Sequence, residues 1–187
     1  MQQASDTNGG SGPAGGWQAA TRLYLPDIIF GANDGIVTLF AVVAAVVGAR
    51  LPAQVALILG FATLVADGFS MGASNYLSKR SNADHHQLPS EKKAAMHGLV
   101  TFASFLIGGA VPLVAYVLPG LPVPRFLAVA AATLLVLFAI GALRSLVVRR
   151  SWFWAGMEML VIGAIAAGVA YGMGSLTAYL VGNAGVH

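Results

Sequence analysis

Residues 27–49 read DIIFGANDGIVTLFAVVAAVVGA, an apolar run with no basic residue and with two aspartates, Asp27 and Asp34, in its first third. About 20 apolar residues suffice for a helix to cross the hydrocarbon core of a bilayer. A carboxylate inside that core costs at least about 2.5 kcal/mol unless it is paired or bound to something. The same conflict recurs twice, at Asp67 and at Glu158, in a chain of 187 residues with only 7 acidic ones. Three carboxylates in spans otherwise too apolar for water need a physical reason, and a cation crossing the membrane supplies one.

Composition sets the class. The chain is 57% hydrophobic and 9% charged, with a mean hydropathy of +0.76. Soluble domains carry about 25% charged residues, so this is a polytopic membrane protein in contact with the lipid bilayer. There is no cysteine, which excludes disulfides, thiolate metal sites and thiol catalysis. The formal charge of +3 does not point to nucleic acid, because Lys and Arg stand at the ends of apolar runs, where they act as topology signals. No phosphate-binding loop, nucleophile elbow or HExxH motif occurs, so an ATP-driven pump, a hydrolase or another enzyme has no support.

Residues 1–23 are rich in Gly, Ser, Gln and Ala up to position 20 and read as a disordered cytoplasmic tail. They lack the basic start and apolar run of a cleaved signal peptide. Residues 24–187 form the membrane domain, with spans expected at 27–49, 53–78, 96–118, 124–147 and 152–181. Pro52 and the cluster Pro119–Pro124 mark turns. Arg22, Lys79, Arg80, Lys92, Lys93, Arg144, Arg149 and Arg150 collect on one side; only Arg50 and Arg125 lie on the other. The positive-inside rule makes the first side cytoplasmic, with the N-terminus inside and the C-terminus outside. Five spans cannot be two equal repeats, so two chains are the natural way to build a symmetric pathway.

Depth can be read at 1.5 Å per residue. Asp34 and Glu158 fall about 9 Å from the cytoplasmic ends of their helices and Met71 about 10 Å, with Asp67 one turn further out. Asp67, Met71 and Asn75 are spaced i, i+4, i+8 and share one stripe, as do Asp34 and Thr38. Together they describe a path. Asp27 and Asn75 stand at the entrance, Asp34, Met71 and Glu158 in the middle, and Asp67 above. Carboxylates suit hard cations, and a thioether adds a softness that Mg²⁺ and Ca²⁺ do not seek, so the ligand set fits a divalent transition ion. Titratable carboxylates, Asp34 and Glu158 foremost, can take protons when the metal leaves.

Plainer readings exist for several of these residues. Met71, Met157 and Met159 can simply fill gaps, and Asn33, Asn75 or Asp67 can join helices through hydrogen bonds. The pairs Gly31/Gly35, Gly68/Gly72 and Gly168/Gly172 are GxxxG spacings that allow close helix approach or a dimer seam. Asp84, His85, His86 and Glu91, between the second and third spans, read as solvated loop, and nothing singles out His97.

The run DIIFGANDGIVT, residues 27–38, resembles the first helix of the vacuolar iron transporter family, also called CCC1-like. VADGFSMGASNYLS, residues 65–78, resembles its second helix. HGLVTF, residues 97–102, and GMEMLVIG, residues 156–163, are similar to the starts of its third and fifth. The resemblance covers about residues 24–182. It implies an all-α protomer of five transmembrane helices working as a homodimer, with the pathway at the two-fold interface. It also implies export of Fe²⁺, often also Mn²⁺, from the cytosol in exchange for protons, with no bound cofactor. Asp34 and Met71 carry over as translocation residues, and Glu158 matches a membrane carboxylate. Family members often carry a long Glu-rich cytoplasmic domain between helices two and three, where this chain has about 17 residues. They commonly have Asp or Glu where Asn75 stands.

The expectation is a dimeric Fe²⁺/Mn²⁺–proton antiporter, with Asp34, Asp67, Met71 and Glu158 contacting the ion. The chain reads as bacterial, so a plasma or inner membrane is expected. The rival reading is a non-transporting metal sensor or structural membrane protein, in which neutral or paired carboxylates hold helices together. A transporter of the same fold for an organic substrate would need aromatic-lined space that the path lacks.

Overall fold

A computed structural model describes residues 13–81, 91–117, 125–145 and 151–183. Five helices follow in order: α1 Pro13–Gly48, α2 Ala53–Ser81, α3 Glu91–Val117, α4 Arg125–Arg144 and α5 Trp152–Asn183. Each is long and apolar enough to cross a membrane, and no strand occurs among the described residues. The all-α, five-span expectation holds. The reason is physical: inside hydrocarbon only a helix satisfies its own backbone hydrogen bonds.

The ends differ from the sequence reading in informative ways. Helix α1 begins at Pro13, inside the stretch that composition assigns to a disordered tail. Proline suits a first helical position, and extending a helix already nucleated by packing costs little per residue. Helix α3 starts at Glu91, five positions before the expected 96, with an acidic residue where the helix dipole favours it. Helix α4 stops at Arg144 rather than 147, where Ser145 Oγ donates to the Ala142 carbonyl at 2.6 Å. The turn expected at Pro119–Pro124, and Asp84, His85 and His86, lie outside the described residues.

The α1–α2 turn is a hydrogen-bonded cap. Arg50 has φ 57°, while the Arg50 amide donates to the Val47 carbonyl and the Leu51 amide to that of Val46, both at 3.0 Å. This is a Schellman motif, completed by a left-handed residue.

Helix α1 touches all four other helices, and α3 packs on α1, α2 and α4. Glycines set how closely. A Cβ at Gly31 would lie 2.5 Å from the Thr101 carbonyl oxygen, and one at Gly35 would strike Phe105 O. Across the α2–α3 seam, a Cβ at Gly72 would come within 2.8 Å of the Gly98 carbonyl oxygen. The first two GxxxG pairs therefore serve packing within the protomer. At Gly168 and Gly172 an added Cβ meets nothing within 4 Å. The core is filled by Ile36, Leu39, Val43, Phe105 and Leu137, all fully buried. Outside it, large apolar side chains such as Ile107, Leu135 and Phe69 stand about 70% exposed. An apolar exterior of this extent belongs in lipid.

Gly31→Ala should therefore force α1 off α3 and cost about 1–3 kcal/mol, the usual range for overpacking. Gly168→Ala should leave the protomer's stability unchanged. Thermal melts of the two purified variants in one detergent test this, and equal melting temperatures would contradict the packing described.

Candidate functional site

The polar residues of α1 and α2 face one another because the two helices run antiparallel and share α3 as a backing. On α2, Leu64, Gly68 and Gly72 are buried, and Gly68 and Gly72 meet Phe102 and Gly98 of α3. Asp67, Met71 and Asn75 each precede or follow that stripe by one or a few positions and so lie to one side of it. Asn75 and Asp67 both reach α1, eight residues apart, about 12 Å along the axis.

The inner rung is a closed polar knot. Asp27 is 7% exposed. Its Oδ1 accepts from Asn75 Nδ2 at 2.8 Å, and its Oδ2 is hydrogen-bonded to His97 Nδ1. An ionised carboxylate can only accept, so Nδ1 carries the proton in that bond. Asn75 Nδ2 also donates to Thr101 Oγ1 at 2.6 Å and approaches the His97 carbonyl at 3.3 Å. Thr101 in turn donates to that carbonyl at 3.0 Å. The Tyr24 ring lies against the imidazole, centroids 4.8 Å apart. One carboxylate thus ties α1, α2 and α3 together, and both of its oxygens are engaged.

The amide at position 75 has a clear role here. A carboxylate in its place would meet Asp27 as a like charge, whereas the amide donates to it.

Further along the two helices stand Asp34 and Asp67. Asp34 is partly buried and Asp67 exposed, and the two carboxylates lie within electrostatic reach of each other. Met71 lies between Asp67 and Asn75 in sequence, partly buried against the core, and Thr38 follows Asp34 one turn on. Two acidic groups facing one another in an apolar span repel unless a cation or a proton stands between them.

Glu158 is placed elsewhere. It is exposed on α5, near Arg144 at 3.9 Å. Helices α2 and α5 do not touch. Among the described residues, no three His, Asp or Glu side chains converge closely enough to hold a metal. The chain therefore brings Asp34 and Asp67 within reach of each other and joins Asp27 with Asn75 near one end of the bundle, and leaves Glu158 on another helix.

Sequence reasoning missed His97 and Thr101. The signal was available in depth: both stand in the first turns of α3, level with Asp27 and Asn75 at the same end of the bundle. A histidine considered alone gives no such hint.

Five helices, each long and apolar enough to cross a bilayer, with acidic residues on the adjacent α1 and α2, define an all-α polytopic membrane protein. The sequence model of the VIT family matches residues 25–95 and 86–175. Vacuolar iron transporter 1 of Oryza sativa subsp. japonica is 24% identical over 208 residues, covering 79% of this chain and 82% of the relative. The vacuolar iron transporter of Plasmodium falciparum is 38% identical over 84 residues, 38% of this chain and 31% of the relative. That of Toxoplasma gondii is 44% identical over 61 residues, 33% of this chain and 20% of the relative. The chain belongs to the VIT family.

His97→Ala should leave Asp27 buried with half its partners and cost about 3 kcal/mol. Leu99→Ala, at an exposed position on the same helix, serves as the control. A detergent melt in which both variants unfold together would remove the structural role given to the knot.

Proposed function

We propose that this chain is one protomer of a homodimeric transporter that carries a divalent transition metal, Fe²⁺ or Mn²⁺, out of the cytosol in exchange for protons. The observation that carries the reading is Asp67. It is an exposed carboxylate in a helix long and apolar enough to cross a membrane, within electrostatic reach of Asp34 on the neighbouring helix. A charge so placed needs a counter-charge, and a second copy apposed there encloses the pair and doubles the ligands. Membership of a family whose relatives are named vacuolar iron transporters supports iron as cargo.

In this reading Asp34, Asp67 and Met71 of both chains bind the metal, and Glu158 joins them from α5. The carboxylates supply charge for a dication and the thioether favours a transition ion over Mg²⁺ or Ca²⁺. Asp34 and Glu158 carry the counter-transported protons, and Asp27 with Asn75 forms the inner entrance. Because both oxygens of Asp27 are engaged, passage of an ion past this carboxylate requires the knot to open. The distribution of Lys and Arg puts that end in the cytosol, and the membrane is a plasma or inner membrane.

Asp34→Asn should abolish metal flux into proteoliposomes while the dimer survives on size exclusion. A pH-sensitive dye trapped in the vesicles should report proton counterflow on adding Fe²⁺ to the wild type and none with the variant. Undiminished flux in Asp34→Asn would remove the central role given to this residue. Metal binding with neither flux nor a dye signal in the wild type would favour a sensor.

A further inference from the structure

An apolar groove of about 500 Å³ runs between α2 and α3, walled by Phe69, Ala73, Tyr76, Ala95, Leu99 and Phe102. Its floor is the close crossing of Gly72 and Gly98. Since neither residue has a Cβ, the helices touch there and the flanking aromatic rings stand up on either side. Phe69 follows Asp67 by two positions and so faces roughly the opposite side of α2. The groove is thus remote from the acidic pair.

The helix registers put positive charge at one end of this groove. On α2, Phe69, Ala73, Tyr76 and Arg80 are spaced i, i+4, i+7, i+11, a single face. On α3, Lys92, Ala95, Leu99 and Phe102 are spaced i, i+3, i+7, i+10, again a single face. Arg80 and Lys92 therefore stand over the mouth of the groove from its two walls. Arg80 is positioned there by its neighbours: Nη1 donates to the Tyr76 hydroxyl at 3.0 Å, and Nη2 lies 3.2 Å from Glu91 Oε1. That ion pair is well exposed on both sides, the kind of surface contact that contributes little and yields to a better anion. Lys79 and Lys93 adjoin the two in sequence, so among the described residues at these helix ends four cations stand against one carboxylate, Glu91.

We propose that this groove binds an anionic glycerophospholipid. Its phosphate accepts hydrogen bonds from the Arg80 guanidinium and the Lys92 ammonium at the interface. One acyl chain lies in the groove, against Leu99 and Phe102 on one wall and Phe69 on the other. The apolar walls select a chain rather than a free phosphate. The surplus positive charge selects an anionic headgroup, the pattern expected where basic residues border a cleft between membrane helices. The site depends on α2 and α3 alone and requires neither transport nor dimerisation.

The test is lipid binding to the delipidated full chain in detergent, followed by native mass spectrometry and thermal shift. The probes are phosphatidylglycerol, phosphatidylcholine with the same chains, and inorganic phosphate. Phosphatidylglycerol should bind at least about tenfold more tightly than phosphatidylcholine, and phosphate should give no shift. Replacing both Arg80 and Lys92 with Gln, at exposed positions, should abolish the preference between the lipids. Ala95→Phe, which fills the groove without changing charge, should weaken both lipids. Equal binding of the two lipids by the wild type would overturn the proposal. So would an unchanged preference in the double variant, or full retention of lipid by a folded Ala95→Phe protein. Each readout is binding, so a failure of metal flux leaves the result intact.

Discussion

A carboxylate can be kept inside an apolar bundle only if its oxygens are satisfied, and Asp27 meets that condition by recruiting two other helices. His97 takes one oxygen and Asn75 the other. Neither partner is local in sequence, so the bond network can form only when α1, α2 and α3 stand at one register. Once Asp27 and Asn75 are level, the antiparallel course of the helices brings Asp67 to the height of Asp34. The acidic pair is a consequence of the neutralised one at the end. One buried carboxylate, satisfied by two other helices, thus organises the geometry of the others.

Helix α1 has two kinds of neighbour. Behind it, α3 approaches so closely that glycine is required at Gly31 and Gly35. On its other sides α1 is packed by α2, α4 and α5, and Asp34 is partly buried among them. Helix α1 therefore meets α3 through backbone contact and α2 through polar side chains. Small residues in the first two spans serve the contact with α3. The pair at Gly168 and Gly172 is left over, on the face of α5 that turns away from the protomer's core.

Much of this is legible because membrane helices announce themselves by length: five spans are evident, and depth counted in residues puts Asp27 with Asn75 at one end, where they are hydrogen-bonded. Depth sets Asp67 a turn beyond Asp34, whereas the structure brings the two within electrostatic reach. What depth cannot give is rotation about the axis. Helices apolar on every face carry no amphipathic stripe to fix which side looks inward. Residue counting says nothing of the direction of Glu158, which the structure sets near Arg144. The same gap hid His97, since nothing local shows that it turns toward Asp27. The glycine spacings were visible, but only coordinates show that Gly35 meets Phe105 and Gly72 meets Gly98. Helix α1 began early because Gly-rich composition lowers helix propensity without forbidding growth from a packed neighbour.

Helix α5 is held along one narrow stripe. Near its far end, a Cβ at Gly174 would strike the backbone of Ala45, and Gly48 packs the same way on Tyr171. Near its start, Ala155 and Gly156 pack equally closely on Gly141 of α4. Between them Met159, Gly163 and Ala167 are buried, and a Cβ at Gly163 would strike Leu137. The helix is gripped by α1 and α4 alone, through a seam of mostly small side chains. A bulky side chain anywhere on that seam would pry the whole helix, Glu158 with it, off the bundle.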